Sequence, residues 1–461
     1  MFLHASTVFV ALSLIAVLGT FQAEGKVVDD GPQHLSDMSS IGQSLHSAEQ
    51  RPVHILYVHG MDALGAGDSW TFQRGICGFL EGCQMPDTPV PVEREYVDRG
   101  IFQIGANPPG FDYMGTPIWS SATEWSASVP FVDHYLLKRS DGGPVVVDEI
   151  NWWPLVFPLK CRNIIPGEAQ LAGPDSALLD LCAKQTQVDT QHAGRFKSYQ
   201  WVTPEDVAKL KSLPRRGAWL NRSLKNSILD WGVSDAFLAV GSMRDVFREG
   251  MRQLFVKSAG FRANGTKTSE WQQELKSRQG TDREFIVVSH SLGSYLVFST
   301  LNIGQLDDSM LNGQTSGQTN SIEDDAARYI LERTSLVYFF ANQVALLELA
   351  NEEMPNPVSA VSAQAQPQAV TTLSKRMAVW GRLREEYRRG RNLTEQSAAP
   401  QVIAWSDPSD LLTWHVPAIA GINVDNVYVR NSWWHWLAAS PTKAHVGYAG
   451  NKTVLNVMMG R

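Results

Sequence analysis

Residues 285–293, Phe-Ile-Val-Val-Ser-His-Ser-Leu-Gly, end an apolar β-branched run in a serine-rich turn. An apolar helical pattern follows, with Tyr295, Leu296 and Phe298. A strand, a sharp turn and a helix in this order lift the apical Ser291 side chain out at the top of a sheet. Small residues two positions to either side, Ser289 and Gly293, let strand and helix pass closely. A serine hydroxyl is a weak nucleophile at neutral pH. It needs an imidazole to take its proton and a carboxylate to hold that imidazole in the right tautomer. Both residue types lie downstream. The apolar run 402–405 leads into Ser406-Asp407-Pro408-Ser409-Asp410-Leu411-Leu412, which offers two acids, and His415, His435 and His445 follow. Asp407, standing before Pro408, also reads as a turn initiator. His415 is too near Asp410 in sequence to come from a separate strand.

The Ser289-His290-Ser291-Leu292-Gly293 segment resembles the nucleophile elbow of the α/β-hydrolase superfamily, with Ser289 where glycine is usual. The resemblance implies an acid and then a histidine, each on a loop at the carboxyl end of a later strand. On that pattern Asp410 fits the acid loop better than Asp407. Lys443-Ala444-His445-Val446-Gly447-Tyr448 resembles the terminal histidine loop of serine esterases and lipases, which makes His445 the base and His435, in Trp433-Trp434-His435-Trp436, the reserve. Near the start, Val58-His59-Gly60-Met61 resembles the family's His-Gly oxyanion loop. The Met61 N–H would then be one oxyanion donor, and the Leu292 N–H, next after the nucleophile, the other. Each such donor is worth about 3 kcal/mol.

Stepping such residues into place requires alternating strands and helices. Strands are expected at 53–58, 131–138, 145–150, 285–289, 336–340, 402–405 and 424–429, with Asp141-Gly142-Gly143 joining two of them as a hairpin. A helix is expected at 70–80. Val233, Phe237, Val240, Phe247, Met251 and Leu254 recur at helical spacing as one long amphipathic helix. Residues 304–325 and 355–372 read as low-complexity surface loops. The fold class this implies is α/β: a mostly parallel central sheet flanked by helices, the α/β-hydrolase fold. The hydrolase domain would span 52–461 and carry a cap insertion at about 84–222.

Residues 5–21 are apolar and uncharged, and Ala23-Glu24-Gly25 suits cleavage, so 1–25 reads as a secretory signal peptide and 26–51 as a linker. An uncleaved anchor is the alternative, because the n-region lacks Lys and Arg. The four cysteines suit an oxidising compartment, and Cys77 with Cys83 and Cys161 with Cys182 is the simplest of three pairings. The first pair requires the chain to bend at Gly82. Sequons occur at Asn221, Asn264, Asn392 and Asn451, at about the frequency chance supplies.

A net charge of −7 gives no reason to expect nucleic acid, and the short basic clusters at Arg215-Arg216 and Arg388-Arg389 with Arg391 read as solvated faces. No zinc-type Cys/His spacing, Gly-rich phosphate loop or dinucleotide fingerprint is present, so no metal and no cofactor is expected. Of the fifteen tryptophans, Trp405, Trp414, Trp433, Trp434 and Trp436 flank the acid and histidine loops, where they could line an acyl pocket, meet a lipid–water boundary or pack a core. The expectation is an exported serine hydrolase acting on small-molecule or lipid carboxylic esters, with membrane-surface contact open. An amidase or peptidase with the same triad, and a non-catalytic exported binding protein, are the alternatives. The sequence leaves the oligomeric state open.

Overall fold

The computed structural model of the 461-residue chain describes residues 40–47, 52–61, 67–97, 130–140, 143–156, 160–182, 204–214, 233–260, 284–300, 322–348, 372–390, 400–431 and 441–461, apart from a few single positions within these ranges. Its strands are β1 (Val53–Val58), β2 (Glu93–Tyr96), β3 (Phe131–Leu137), β4 (Val145–Asn151), β5 (Glu284–His290), β6 (Thr334–Phe340), β7 (Gln401–Ser406) and β8 (Asn423–Tyr428). They form one eight-stranded sheet in the order β2-β3-β4-β1-β5-β6-β7-β8. From β4 to β8 every pairing is parallel; β3 runs antiparallel to β4, and β2 to β3.

The helices used below are α1 (Ile41–Ser47), α2 (Trp70–Cys77), α3 (Ile165–Ala172), α4 (Pro204–Lys211), α5 (Ser234–Val240), α6 (Arg244–Ala259), α7 (Leu292–Thr300), α8 (Ile322–Arg333), α9 (Val344–Glu348), α10 (Thr372–Gly390), α11 (Pro441–Val446) and α12 (Lys452–Met458). The central strands β1, β4 and β7 are buried at every position because both faces of the sheet are covered. With side chains alternating across β5, Phe285 and Val287 enter one core with Phe247, Met251 and Leu254 of α6, Ile330 of α8 and Trp380 of α10. Ile286 and Val288 enter the other, with Ile41 of α1, Phe72 and Ile76 of α2, and Val454 and Met458 of α12. The architecture is therefore a three-layer α/β fold.

Several expectations need correction. Part of the 84–222 span belongs to the sheet: β2, β3 and β4 lie inside it. The rest of its described chain, with α3 and α4, packs a third small core of Phe131, Trp153, Cys161, Ile165, Cys182, Val207 and Leu210. The 26–51 span is not all linker, since α1 docks Ile41 and Leu45 into the second core. Ser40 and Gln43 close a capping box there: the Gln43 N–H donates to Ser40 Oγ, and the Ser40 N–H donates to Gln43 Oε1, both at 3.0 Å. The helix expected across 233–254 is two helices. Gly241 ends the first with an extended ψ of −144°, and Phe237, expected on the buried face, is 69% exposed.

Both expected disulfides are formed, Cys77–Cys83 and Cys161–Cys182. The first is closed by a turn in which Gly82 takes φ +63°, a left-handed conformation that glycine adopts without steric cost. Among the described residues no helix is long and apolar enough to cross a membrane. The apolar run 5–21, the cleavage motif, His435, Trp433, Trp434, Trp436, Arg215, Arg216, Arg391 and the sequons at Asn221, Asn264 and Asn392 lie outside the described residues. Asn451 is occupied structurally: its side chain caps α12 by accepting from the N–H groups of Thr453 and Val454.

Candidate active site

Ser291 stands between β5 and α7 with φ +53°. That left-handed value costs a non-glycine residue about 1–3 kcal/mol, which the surroundings must outweigh. Here the Ser291 N–H donates to Phe340 O at the end of β6 (2.8 Å), and Ser291 O accepts from the Ser294 N–H in the first turn of α7 (3.0 Å). Gly293 shows why the turn needs a small residue: a Cβ there would stand 2.5 Å from the carbonyl oxygens of both Val58 and His59. Ser289, in the other small position, turns its hydroxyl to Ser294 Oγ (3.2 Å).

The three residues singled out for chemistry converge although they are far apart in sequence. Ser291 Oγ lies 2.9 Å from His445 Nε2, and His445 Nδ1 lies 2.9 and 3.0 Å from the two carboxylate oxygens of Asp410. Ser291 and the Asp410 side chain are buried, and the His445 side chain keeps 15% exposure. The geometry assigns the tautomer. Nδ1 carries the proton toward the carboxylate, leaving Nε2 free to accept the serine proton. Asp410 is held as an acceptor by the Leu412 N–H on Oδ1 (2.9 Å) and the Tyr448 hydroxyl on Oδ2 (3.3 Å). Burial, with Asp410 beside it, raises the Tyr448 hydroxyl well above its ordinary range, so it remains a donor.

The Asp407 carboxylate stands apart from the imidazole, although its N–H donates to the Tyr448 hydroxyl (2.6 Å) and its carbonyl accepts from the Asp410 N–H (2.8 Å). Its carboxylate accepts from the Ser409 N–H (2.8 Å) and the Asn431 N–H (2.7 Å), and the Asn431 side chain donates to Ala444 O (2.9 Å). Asp407 thus braces the acid loop against the segment bearing His445. Trp405 is wholly buried in the second core. The backbone of Trp414 is tied to Asn342.

The loop after β1 presses on the elbow. A Cβ at Gly60 would be 2.8 Å from Ser291 Cβ and 2.8 Å from His290 Nδ1, so only glycine lets the chain pass. Met61 follows and packs against the first core. The Leu292 N–H, first in α7, has no partner within its own helix by position, and the positive end of the helix dipole lies there. Glu149 of β4 secures the far end of the β1 loop by accepting from the N–H groups of Gly67 (2.7 Å) and Ser69 (2.9 Å). His59 is buried, stacked on Trp152 with ring centroids 4.9 Å apart, and its Nδ1 donates to Gly60 O (2.8 Å). Trp152 in turn donates to His59 O (3.0 Å).

Two neighbours to which the sequence assigned no role contact Ser291 and His445. His290 Nε2 donates to the backbone carbonyl of His445 (2.7 Å), fastening the elbow to the histidine loop. Gln343, three residues past the end of β6 and just before α9, donates its side-chain amide to Ser291 Oγ (2.9 Å). Tyr448 was within reach of sequence reasoning, since it closes the Ala-His-x-Gly-Tyr motif. The polar pair Asn342-Gln343, just past the apolar strand next to the elbow strand, was the one signal for Gln343. Among the described residues no group of three or more His, Cys, Asp or Glu is arranged to hold a metal ion.

Burial pushes His59 down to about 4 and His290, with His445 as neighbour, down to about 3, so both rings are neutral at neutral pH. For such a group the unfolded chain binds the proton first. Its stabilising contribution is full above about 6.5 and falls as the pH drops toward the folded value. His134 has the opposite sign: although burial disfavours its charge, the Asp148 carboxylate raises it above the ordinary histidine value. A difference measurement separates the two. In His59→Phe, the unfolding free energy lost between pH 7 and pH 5, read from urea titrations, is expected to shrink by about 2 kcal/mol relative to wild type.

No protein-family model matches the chain, and neither curated proteins nor solved structures gave a match.

Proposed function

We propose that the protein is an exported serine hydrolase of the α/β-hydrolase fold that cleaves carboxylic esters through an acyl-enzyme. The observation that carries this reading is the unbroken chain from Ser291 Oγ through both nitrogens of His445 to the carboxylate of Asp410, with every link between 2.9 and 3.0 Å. The sheet supports it. The elbow ends β5, the oxyanion-loop candidate ends β1 and the acid loop follows β7. All are carboxyl ends of parallel strands, where ligands of open α/β sheets bind. Two disulfides support an oxidising destination.

In this mechanism Ser291 Oγ attacks the ester carbonyl as its proton passes to His445 Nε2. The oxyanion is received by the backbone N–H groups of Leu292 and Met61. His445 returns the proton to the departing alcohol, leaving an acyl-serine. A water gives its proton to the same nitrogen and attacks the acyl carbonyl; the proton then returns to Ser291 as the carboxylic acid leaves. The neighbours of the acid and base favour an apolar acyl group: Leu411 is 67% and Val446 55% exposed, each next in sequence to a triad member. Contact with a lipid surface through these side chains is part of the proposal.

A fluorophosphonate probe tests the reading. Wild-type protein is expected to label and Ser291→Ala not to label. A series of p-nitrophenyl esters is expected to show turnover rising from acetate to medium-chain acyl groups. A folded wild-type protein that takes no label overturns the hydrolase reading in favour of a binding protein.

A further inference from the structure

We propose that Gln343 is a catalytic residue whose side-chain amide fixes the proton and lone pairs of the nucleophile by donating to Ser291 Oγ. The proposal rests on the serine-hydrolase reading above and adds a fourth member to its machinery.

The argument starts from the valences of one oxygen. Ser291 Oγ carries Cβ, one proton and two lone pairs. His445 Nε2, 2.9 Å away, accepts the proton. Gln343 Nε2, also 2.9 Å away, occupies one lone pair. The remaining lone pair is the one free to attack a carbonyl carbon. With the hydroxyl proton committed to His445, the face of Gln343 turned to Oγ must be its donor, which fixes the amide orientation. As the proton leaves for His445, charge builds on Oγ before the new C–O bond is complete. A donor already in place stabilises that charge with no reorganisation.

The surroundings are built to hold this side chain in place. Gln343 is 2% exposed. Ala341, two residues earlier, takes φ +50°, the left-handed region that a residue with a Cβ rarely enters, and its N–H donates to Trp405 O (3.1 Å). Asn342 is clamped on both sides: its amide donates to Trp414 O, its Oδ1 accepts from the Val344 N–H (2.9 Å), and its carbonyl accepts from the Trp414 N–H (3.0 Å). The Gln343 carbonyl accepts from the Leu347 N–H in α9 (3.0 Å). The Val344 N–H at the start of α9 is already capped by Asn342, so the Gln343 side chain is not needed there. It points at the nucleophile instead.

The test compares wild type, Gln343→Met and Gln343→Glu in fluorophosphonate labelling resolved into a limiting rate and a half-saturation concentration. Met keeps the length and volume without the donor. Its limiting rate is expected to fall about 10- to 100-fold, the worth of one hydrogen bond to a charged group. Half-saturation should move less than about 3-fold, since ground-state binding does not use this bond. Glu is expected to fall further, because its carboxylate draws the serine proton away from His445. A Gln343→Met protein labelling at the wild-type limiting rate overturns the role, as does a loss confined to half-saturation. If the Met variant melts early by circular dichroism, Gln343→Leu, which also lacks the donor and adds no charge, is read by the same two numbers. Wild-type protein that takes no label overturns the hydrolase reading itself, a result distinct from a labelling wild type matched by its Met variant.

Discussion

Asp410→Asn is expected to lower ester turnover by about four orders of magnitude while the protein stays folded. The size follows from which atoms the amide would replace. The Leu412 N–H donates to Oδ1, so the amide oxygen takes that place and the NH2 group lands at the Oδ2 position. Oδ2 is 3.0 Å from His445 Nδ1. A donor there opposes a proton on Nδ1, although the amide oxygen at the Oδ1 position lies 2.9 Å from it, and so biases the imidazole toward the tautomer protonated at Nε2, which faces Ser291 Oγ and blocks proton transfer. The Tyr448 oxygen, which already accepts from the Asp407 N–H (2.6 Å), has a second lone pair for the new NH2, so packing survives. Initial rates on a p-nitrophenyl ester, alongside a thermal melt, check both halves. An Asn variant within tenfold of wild type would remove Asp410 from the mechanism.

Gly293→Ala is the second large effect. The new methyl would meet two backbone carbonyls, of Val58 and His59, each at 2.5 Å. Neither is the end of a flexible side chain, so α7 must move away from the end of β1. Overpacking of this kind costs about 1–3 kcal/mol. The functional loss is expected to be larger in proportion. The same shift carries the Leu292 N–H away from the loop at Gly60, and one misplaced oxyanion donor costs about 10²- to 10³-fold in rate. Gly167→Ala is the internal comparison, because a Cβ at that exposed position in α3 meets nothing within 4 Å. Urea midpoints and turnover of the two variants, side by side, separate a steric effect from the general effect of replacing glycine.

The parts legible in the sequence were those with a strong local signature. The runs that became β1, β5, β6 and β7 are mostly apolar, the buried His54 of β1 aside, because they are sandwiched between helical layers. The turn at Ser291 declares itself by the abrupt change from apolar to small and polar residues. The edge strand β2, Glu-Arg-Glu-Tyr, carries the charges of a border and offers no apolar alternation to read. The helices α8 and α10 were hidden for a related reason. Their arginines look solvated in sequence, yet Arg333 and Arg384 are 8% and 5% exposed. Arg333 stacks over Tyr329 and Tyr387, and Arg384 donates to Glu332 O.

The candidate site shows the same division. Ser291, Asp410 and His445 could be chosen because each sits in a recognisable loop. Gln343, His290 and the bracing by Asp407 acquire meaning only where separate strands end side by side. Both Asp407 and Asp410 are buried and accept backbone N–H groups, so no local property of either residue separates the brace from the acid.

The hydrogen bond from His290 to the main chain of His445 bears on how this chain can change over time. The residue next to the alcohol grips the peptide that carries the imidazole, so a single contact spans what the polymer separates by 155 positions. Segments between the two can lengthen, shorten or be exchanged at small entropic cost without altering the distance a proton must travel. Divergence in length is therefore cheapest along the outer connections, and this inner contact is where it is least tolerated.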